Sequence, residues 1–122
     1  MKFYQCKNCN SVLVQINKLD TIMCCNNDLK ELSLNSLEAS HEKHLPVVSI
    51  SNNLMNVSIG SVTHPMTSDH LIEWVFVEYN NGGEFIYLNN EPVVTINILG
   101  RNIKRVYAYC NLHGLYVKEI EE

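Results

Sequence analysis

From Pro46 onward, apolar residues recur at every second position. Val94, Ile96 and Ile98 alternate with Val93, Thr95 and Asn97, and Val57 and Ile59 alternate with Asn56, Ser58 and Gly60. An extended chain turns successive side chains to opposite faces, so these stretches predict strands with one face buried. The segment "HLIEWVFVEY" (70–79) is apolar on both faces, as expected of a central strand or one at a subunit contact. Asn80-Asn81-Gly82-Gly83 separates it from "EFIYL" and is a strong turn signal. Asn89-Asn90 before Pro92, and Gly100-Arg101-Asn102, mark two more turns. No stretch has helical periodicity. The pattern predicts a mainly β chain in which about seven short strands form an antiparallel β-sandwich of the immunoglobulin-like kind.

The start of the chain reads differently. Cys6 and Cys9 form a C-x-x-C pair, fourteen residues follow, and then come the adjacent Cys24 and Cys25. Leu29, Leu32, Leu34 and Leu37 fit neither helical nor strand spacing and are read as a short strand followed by a linker. Two domains are expected, residues 1–36 and residues 37–122. A segment as short as the first cannot bury enough apolar surface to be stable alone, and a metal is the economical way to hold it together.

Composition narrows the choice of function. Of 122 residues, 46% are hydrophobic and 18% charged, values of an ordered globular chain. A net charge of −4, with nine Lys and Arg scattered along the chain, offers no basic stripe for nucleic acid. No apolar run is long enough to span a bilayer, so no membrane partner is expected. "MKFYQCKNCN" lacks the apolar core of a secretory signal, and the expectation is a cytoplasmic protein. In a reducing compartment, closely spaced cysteines are metal ligands more often than disulfides. Four thiolates suit either zinc or iron. Adjacent cysteines in extended backbone point to opposite faces, so binding one ion with both Cys24 and Cys25 is expected to distort the tetrahedron.

A second constellation lies in the rest of the chain. "HEKHLP" carries His41 and His44, "HPMTSDH" carries His64 and His70, and "YCNLH" carries Cys110 and His113. The last pair lies three residues apart, close enough in a turn to share one ion. Several imidazoles with one thiolate are too many donors for a tetrahedral zinc site. They suit iron or copper, and a five-coordinate set leaves a sixth position open for chemistry.

The segments "EKHLPVV" (42–48), "GSVTHPMTSDHLIEWV" (60–75) and "YCNLHGLY" (109–116) resemble the iron-site motifs of superoxide reductases. The N-terminal cysteine pattern resembles the rubredoxin-like, desulforedoxin-type head of the two-iron subfamily, the desulfoferrodoxins. The resemblance covers nearly the whole chain. It implies an iron held equatorially by His44, His64, His70 and His113 and axially by Cys110. It implies a second iron held by Cys6, Cys9, Cys24 and Cys25, with zinc a possible substitute in recombinant protein. Glu42 and Lys43 would lie over the open iron face, and His41 has no family role. The implied activity is one-electron reduction of superoxide to hydrogen peroxide, fed by a rubredoxin-like electron donor and carried out by a homodimer. The Cys110 thiolate would push electron density toward the bound oxygen species, and backbone N–H groups after Cys110 would tune that push.

Four positions depart from the commonest family pattern. Asn10 and Asn26 stand where relatives usually have glycine, and asparagine is the residue other than glycine that best tolerates positive φ. The proline common two residues beyond "CCNN" is absent. Tyr116 replaces the usual tryptophan after "HGL", which is expected to alter packing more than chemistry. Two other readings of the residues stand beside the reductase: a non-catalytic iron electron-transfer or metal-binding protein, and a structural zinc module.

Overall fold

The computed structural model describes residues 1–18, 21–35, 44–60, 65–68 and 70–120. Of the residues singled out above, Leu37, His41, Glu42, Lys43 and His64 lie outside these. The described residues contain strands and turns and no helix, and thus no helix long and apolar enough to cross a membrane. The chain divides into two compact units, Met1–Ser33 and Leu34–Glu122.

In the first unit, β1 (Lys2–Gln5) lies between β2 (Val12–Gln15) and β5 (Lys30–Glu31) in an antiparallel sheet. A separate hairpin pairs β3 (Met23–Cys24) with β4 (Asn27–Asp28). Phe3 and Cys6 are buried in this unit, whereas Ile16 and Met23 are exposed. The backbone closes on itself after β1 through Cys6 N–H to Ser11 O (2.9 Å) and Asn10 N–H to Cys6 O (2.8 Å). Asn10 has φ 62°, in the left-handed region anticipated from its position after Cys9.

In the second unit, the described residues from Pro46 on form seven strands: β7 (Pro46–Ser51), β8 (Leu54–Ile59), β9 (Ile72–Tyr79), β10 (Gly82–Tyr87), β11 (Val93–Asn97), β12 (Ile103–Cys110) and β13 (Gly114–Glu119). They form two sheets, β11-β8-β7 and β10-β9-β12-β13, the second extended by β6 (Leu34–Asn35). All pairings among the seven are antiparallel, as expected, whereas β6 joins β13 in parallel. Asn35 Nδ2 anchors that short strand by donating to Leu115 O (3.0 Å).

The alternation read from the sequence sorts the faces. Met55, Val57 and Ile59 of β8, Ile96 of β11, Val75, Val77 and Tyr79 of β9, and Val106, Ala108 and Cys110 of β12 share one buried cluster between the sheets. Strand β9 is central, which explains why it is apolar on both faces: its other face joins Trp74 and Phe76 to Phe85, Tyr107 and Tyr109 in an aromatic cluster. Cys110 is thus both a core residue and the last residue of a central strand. That places its sulfur at the end of the sandwich, where the loops meet.

Candidate metal centres

The first cluster is built by two turns. The loop after β1 carries Cys6 and Cys9, and the β3–β4 hairpin carries Cys24 and Cys25. The hairpin turn is Cys25-Asn26, with φ of 51° and 63° at its two residues. Two successive left-handed residues are the signature of the tight turn whose twist matches that of flanking strands. The same turn removes the expected distortion. Cys24 is the last extended residue and Cys25 the first left-handed one, so the two side chains are not held on opposite faces. The four sulfurs lie within 4.8 Å of one another. Cys9 Sγ is 3.6 Å from Cys24 Sγ, and Cys24 Sγ is 3.8 Å from Cys25 Sγ. A tetrahedral ion with metal–sulfur bonds of about 2.3 Å sets its ligands about 3.8 Å apart, so these residues fit a four-thiolate metal. All four cysteines are free of disulfides.

Neighbouring groups split the thiols. The Ser11 hydroxyl, 3.2 Å from Cys9 Sγ, favours the thiolate and is the chief reason the Cys9 thiol is lowered to about 6. The sulfur of Cys6, followed by that of Cys9, pushes Cys24 up to about 12, and Cys6 also raises Cys25. Four thiols this close cannot all ionise without a cation among them, which is the electrostatic form of the same argument.

The second cluster gathers His44, His70, Cys110 and His113, again with every donor atom within 4.8 Å of the others. Three segments supply them. His44 lies two residues before Pro46, where β7 begins, and is fully buried. His70 closes a two-way bridge with Thr67, each backbone N–H donating to the other's carbonyl (3.0 and 3.1 Å). Cys110 precedes the three-residue turn between β12 and β13 and His113 ends it, with Gly114 at φ 94° opposite Cys110. His44 Nε2 lies 2.9 Å from His113 Nδ1, and Cys110 Sγ lies 3.8 Å from that same nitrogen. Nitrogens at about 2.1 Å from one ion, at right angles, stand about 3.0 Å apart, so this set also fits a metal. His70 Nε2 is buried within it.

Two features escaped the sequence. Tyr116 lies face to face with His44, ring centroids 4.5 Å apart and planes 10° from parallel. The N–H of Asn111, in the turn after Cys110, donates to Leu71 O (3.1 Å). Only the residue types hinted at these roles; their partners are too distant in sequence to be read from spacing.

The family model for desulfoferrodoxin matches residues 36–119. The chain belongs to the desulfoferrodoxin family. Similarity extends over the head as well. The desulfoferrodoxin of Clostridium acetobutylicum is 31% identical over 98% of this chain and 97% of its own length. That of Syntrophotalea carbinolica is 30% identical over 98% and 96%. Among solved structures, the superoxide reductase from Treponema pallidum superposes with a TM-score of 0.83 at 26% identity, covering 97% of both chains. The one-iron superoxide reductase from Giardia intestinalis covers 66% of this chain and 99% of its own, with a TM-score of 0.52 at 29% identity. Desulfoferrodoxins carry two iron sites, and the donor sets of both clusters match that arrangement.

Proposed function

We propose that this desulfoferrodoxin is a superoxide reductase, with residues 1–36 and 37–122 as its two iron domains. The observation that carries the reading is the convergence of three imidazoles and the Cys110 sulfur on one point at the end of the sandwich. Iron held there would supply the single electron that, with two protons, reduces superoxide to hydrogen peroxide. His44, His70 and His113, joined by His64, would hold it with neutral nitrogens, which would leave the centre cationic and favour an anionic substrate. Cys110 adds electron density from the buried side, because its sulfur rises from a fully buried strand end. Lys43 would raise the local concentration of superoxide, and Glu42 would supply a carboxylate oxygen to the iron. Cys6, Cys9, Cys24 and Cys25 hold the head iron.

A rubredoxin-like donor, a homodimeric assembly and a cytoplasmic location complete the proposal. Free cysteines in two clusters support a reducing compartment. The decisive experiment is a superoxide pulse on the reduced, iron-loaded protein under anaerobic conditions. Rapid oxidation of the protein with hydrogen peroxide formed and no dioxygen released is expected. Dioxygen release would indicate dismutation instead, and absence of reaction would defeat the enzymatic reading.

A further inference from the structure

Cys110 and His113 are fixed by the β12–β13 hairpin, whose register pairs Cys110 with Gly114. His70 is fixed by its bridge to Thr67. His44 stands two residues before β7, outside a hydrogen-bonded strand, so the plane of its ring is set by what packs against it. What faces that ring is Tyr116, 4.5 Å away and 10° from parallel, while its edge meets His113 at 77°. Both rings are buried, His44 completely and Tyr116 to within 5%. A ring clamped flat against another cannot rotate without driving an edge into its neighbour.

We propose that Tyr116 is the positioning residue for His44, holding the imidazole plane so that Nε2 points at the centre shared with His70, Cys110 and His113. The inference rests on His44 being a ligand. One hairpin then orients three donors: it carries Cys110 and His113 itself, and through Tyr116, three residues after His113, it sets the plane of His44. The flat face of the side chain is what matters. Phenylalanine keeps that face, whereas leucine fills similar space without one.

The test uses full-length protein and the variants Tyr116→Phe and Tyr116→Leu, with Tyr116→Met replacing the leucine variant should that not fold. In NMR of the zinc-loaded protein, the His44 ring protons are expected to be sharp and displaced by the tyrosine ring current. Tyr116→Phe should preserve this, and Tyr116→Leu should abolish the displacement and broaden the signals. Challenged with a chelator, iron at the histidine site of Tyr116→Leu should be lost with an affinity roughly 10-fold or more weaker, while the head iron is unaffected. His44 signals in the unsubstituted protein without ring-current displacement would overturn the inference, as would a leucine variant that retains iron like its parent. Failure of the unsubstituted protein to take metal at this site would instead defeat the ligand reading on which the inference stands.

Discussion

Asn111 and Leu71 hold each other by two hydrogen bonds. The Leu71 N–H donates to Asn111 Oδ1 at 2.9 Å, and the Asn111 N–H donates to Leu71 O at 3.1 Å. Each partner is the immediate neighbour of a candidate ligand, His70 on one side and Cys110 on the other. The pair therefore fixes the separation of two segments forty residues apart. Asn111→Ala removes the side-chain bond and leaves the backbone one. A single such bond is worth about 1 kcal/mol, too little to unfold the sandwich. The expected outcome is a folded protein whose histidine-site iron is lost to a chelator roughly 10-fold more readily, with head iron retained. Unchanged retention would show that the strands alone hold the two segments in register.

The neighbouring glycines of the β9–β10 hairpin differ in what they permit. A Cβ on Gly82 would meet nothing within 4 Å, whereas one on Gly83 would fall 2.2 Å from the ring of Phe76. That ring is buried and in contact with Phe85 and Tyr107, so it has little room to yield. Gly83→Ala should cost about 1–3 kcal/mol, the usual penalty of overpacking. Gly82→Ala should lie within about 0.5 kcal/mol of the parent. Chemical denaturation of the two variants side by side checks the contrast.

Glu78 is the hub of the polar contacts on the aromatic face of the sheet. It accepts hydrogen bonds from Tyr107 Oη (2.8 Å) and Arg105 Nη1 (3.3 Å), and Lys104 Nζ lies 3.9 Å away. Burial works against its charge and is the largest single influence. The bonds from Tyr107 and Arg105, with the positive charge of Arg105, outweigh it, so the carboxyl is held below its ordinary 4.5. A carboxyl depressed in the folded state stabilises the protein above its unfolded value and loses that contribution as pH falls through the folded one. Glu78→Gln should therefore lower the melting temperature near neutral pH, by a loss on the order of 1.5–3 kcal/mol for bonds to a charged group. The gap between parent and variant should narrow as pH drops below about 4.5. A gap independent of pH would mean that the shape of Glu78, not its charge, matters.

Much of the sandwich could be read in advance because a period of two is a local signal. Strand β9, apolar on both faces, announced its central place, and Asn10 and Asn26 announced their left-handed backbone. The four-cysteine cluster was legible for a different reason: few structures other than a metal site bring thiols together at that spacing. Cys25 shows where local reasoning stops. Extended backbone predicts opposed side chains for adjacent cysteines, and only the hairpin turn reveals that Cys25 leaves the strand. The parallel pairing of Leu34 and Asn35 with β13 was equally hidden, since two residues carry no periodicity. The stack of Tyr116 on His44 joins residues 72 apart by packing alone, and no spacing rule encodes it.

The proposed role of Lys43 turns on the sign of an electrostatic effect. The chain carries a net charge of −4, so at long range it repels superoxide. A lysine beside the centre, as proposed, would reverse that locally, and salt weakens local attraction as well as long-range repulsion. If Lys43 dominates, the rate of reaction with superoxide should fall as ionic strength rises. Lys43→Ala should slow the reaction by a few-fold to roughly tenfold at low salt, the scale of one charge acting through water. The salt dependence should then flatten or reverse, because only the net negative charge remains to be screened. Lys43→Arg should restore both the rate and its slope, since it keeps the charge while changing the shape. Stopped-flow or pulsed delivery of superoxide at several salt concentrations measures all three proteins. An alanine variant with the parent's rate and the parent's slope would place the steering charge elsewhere.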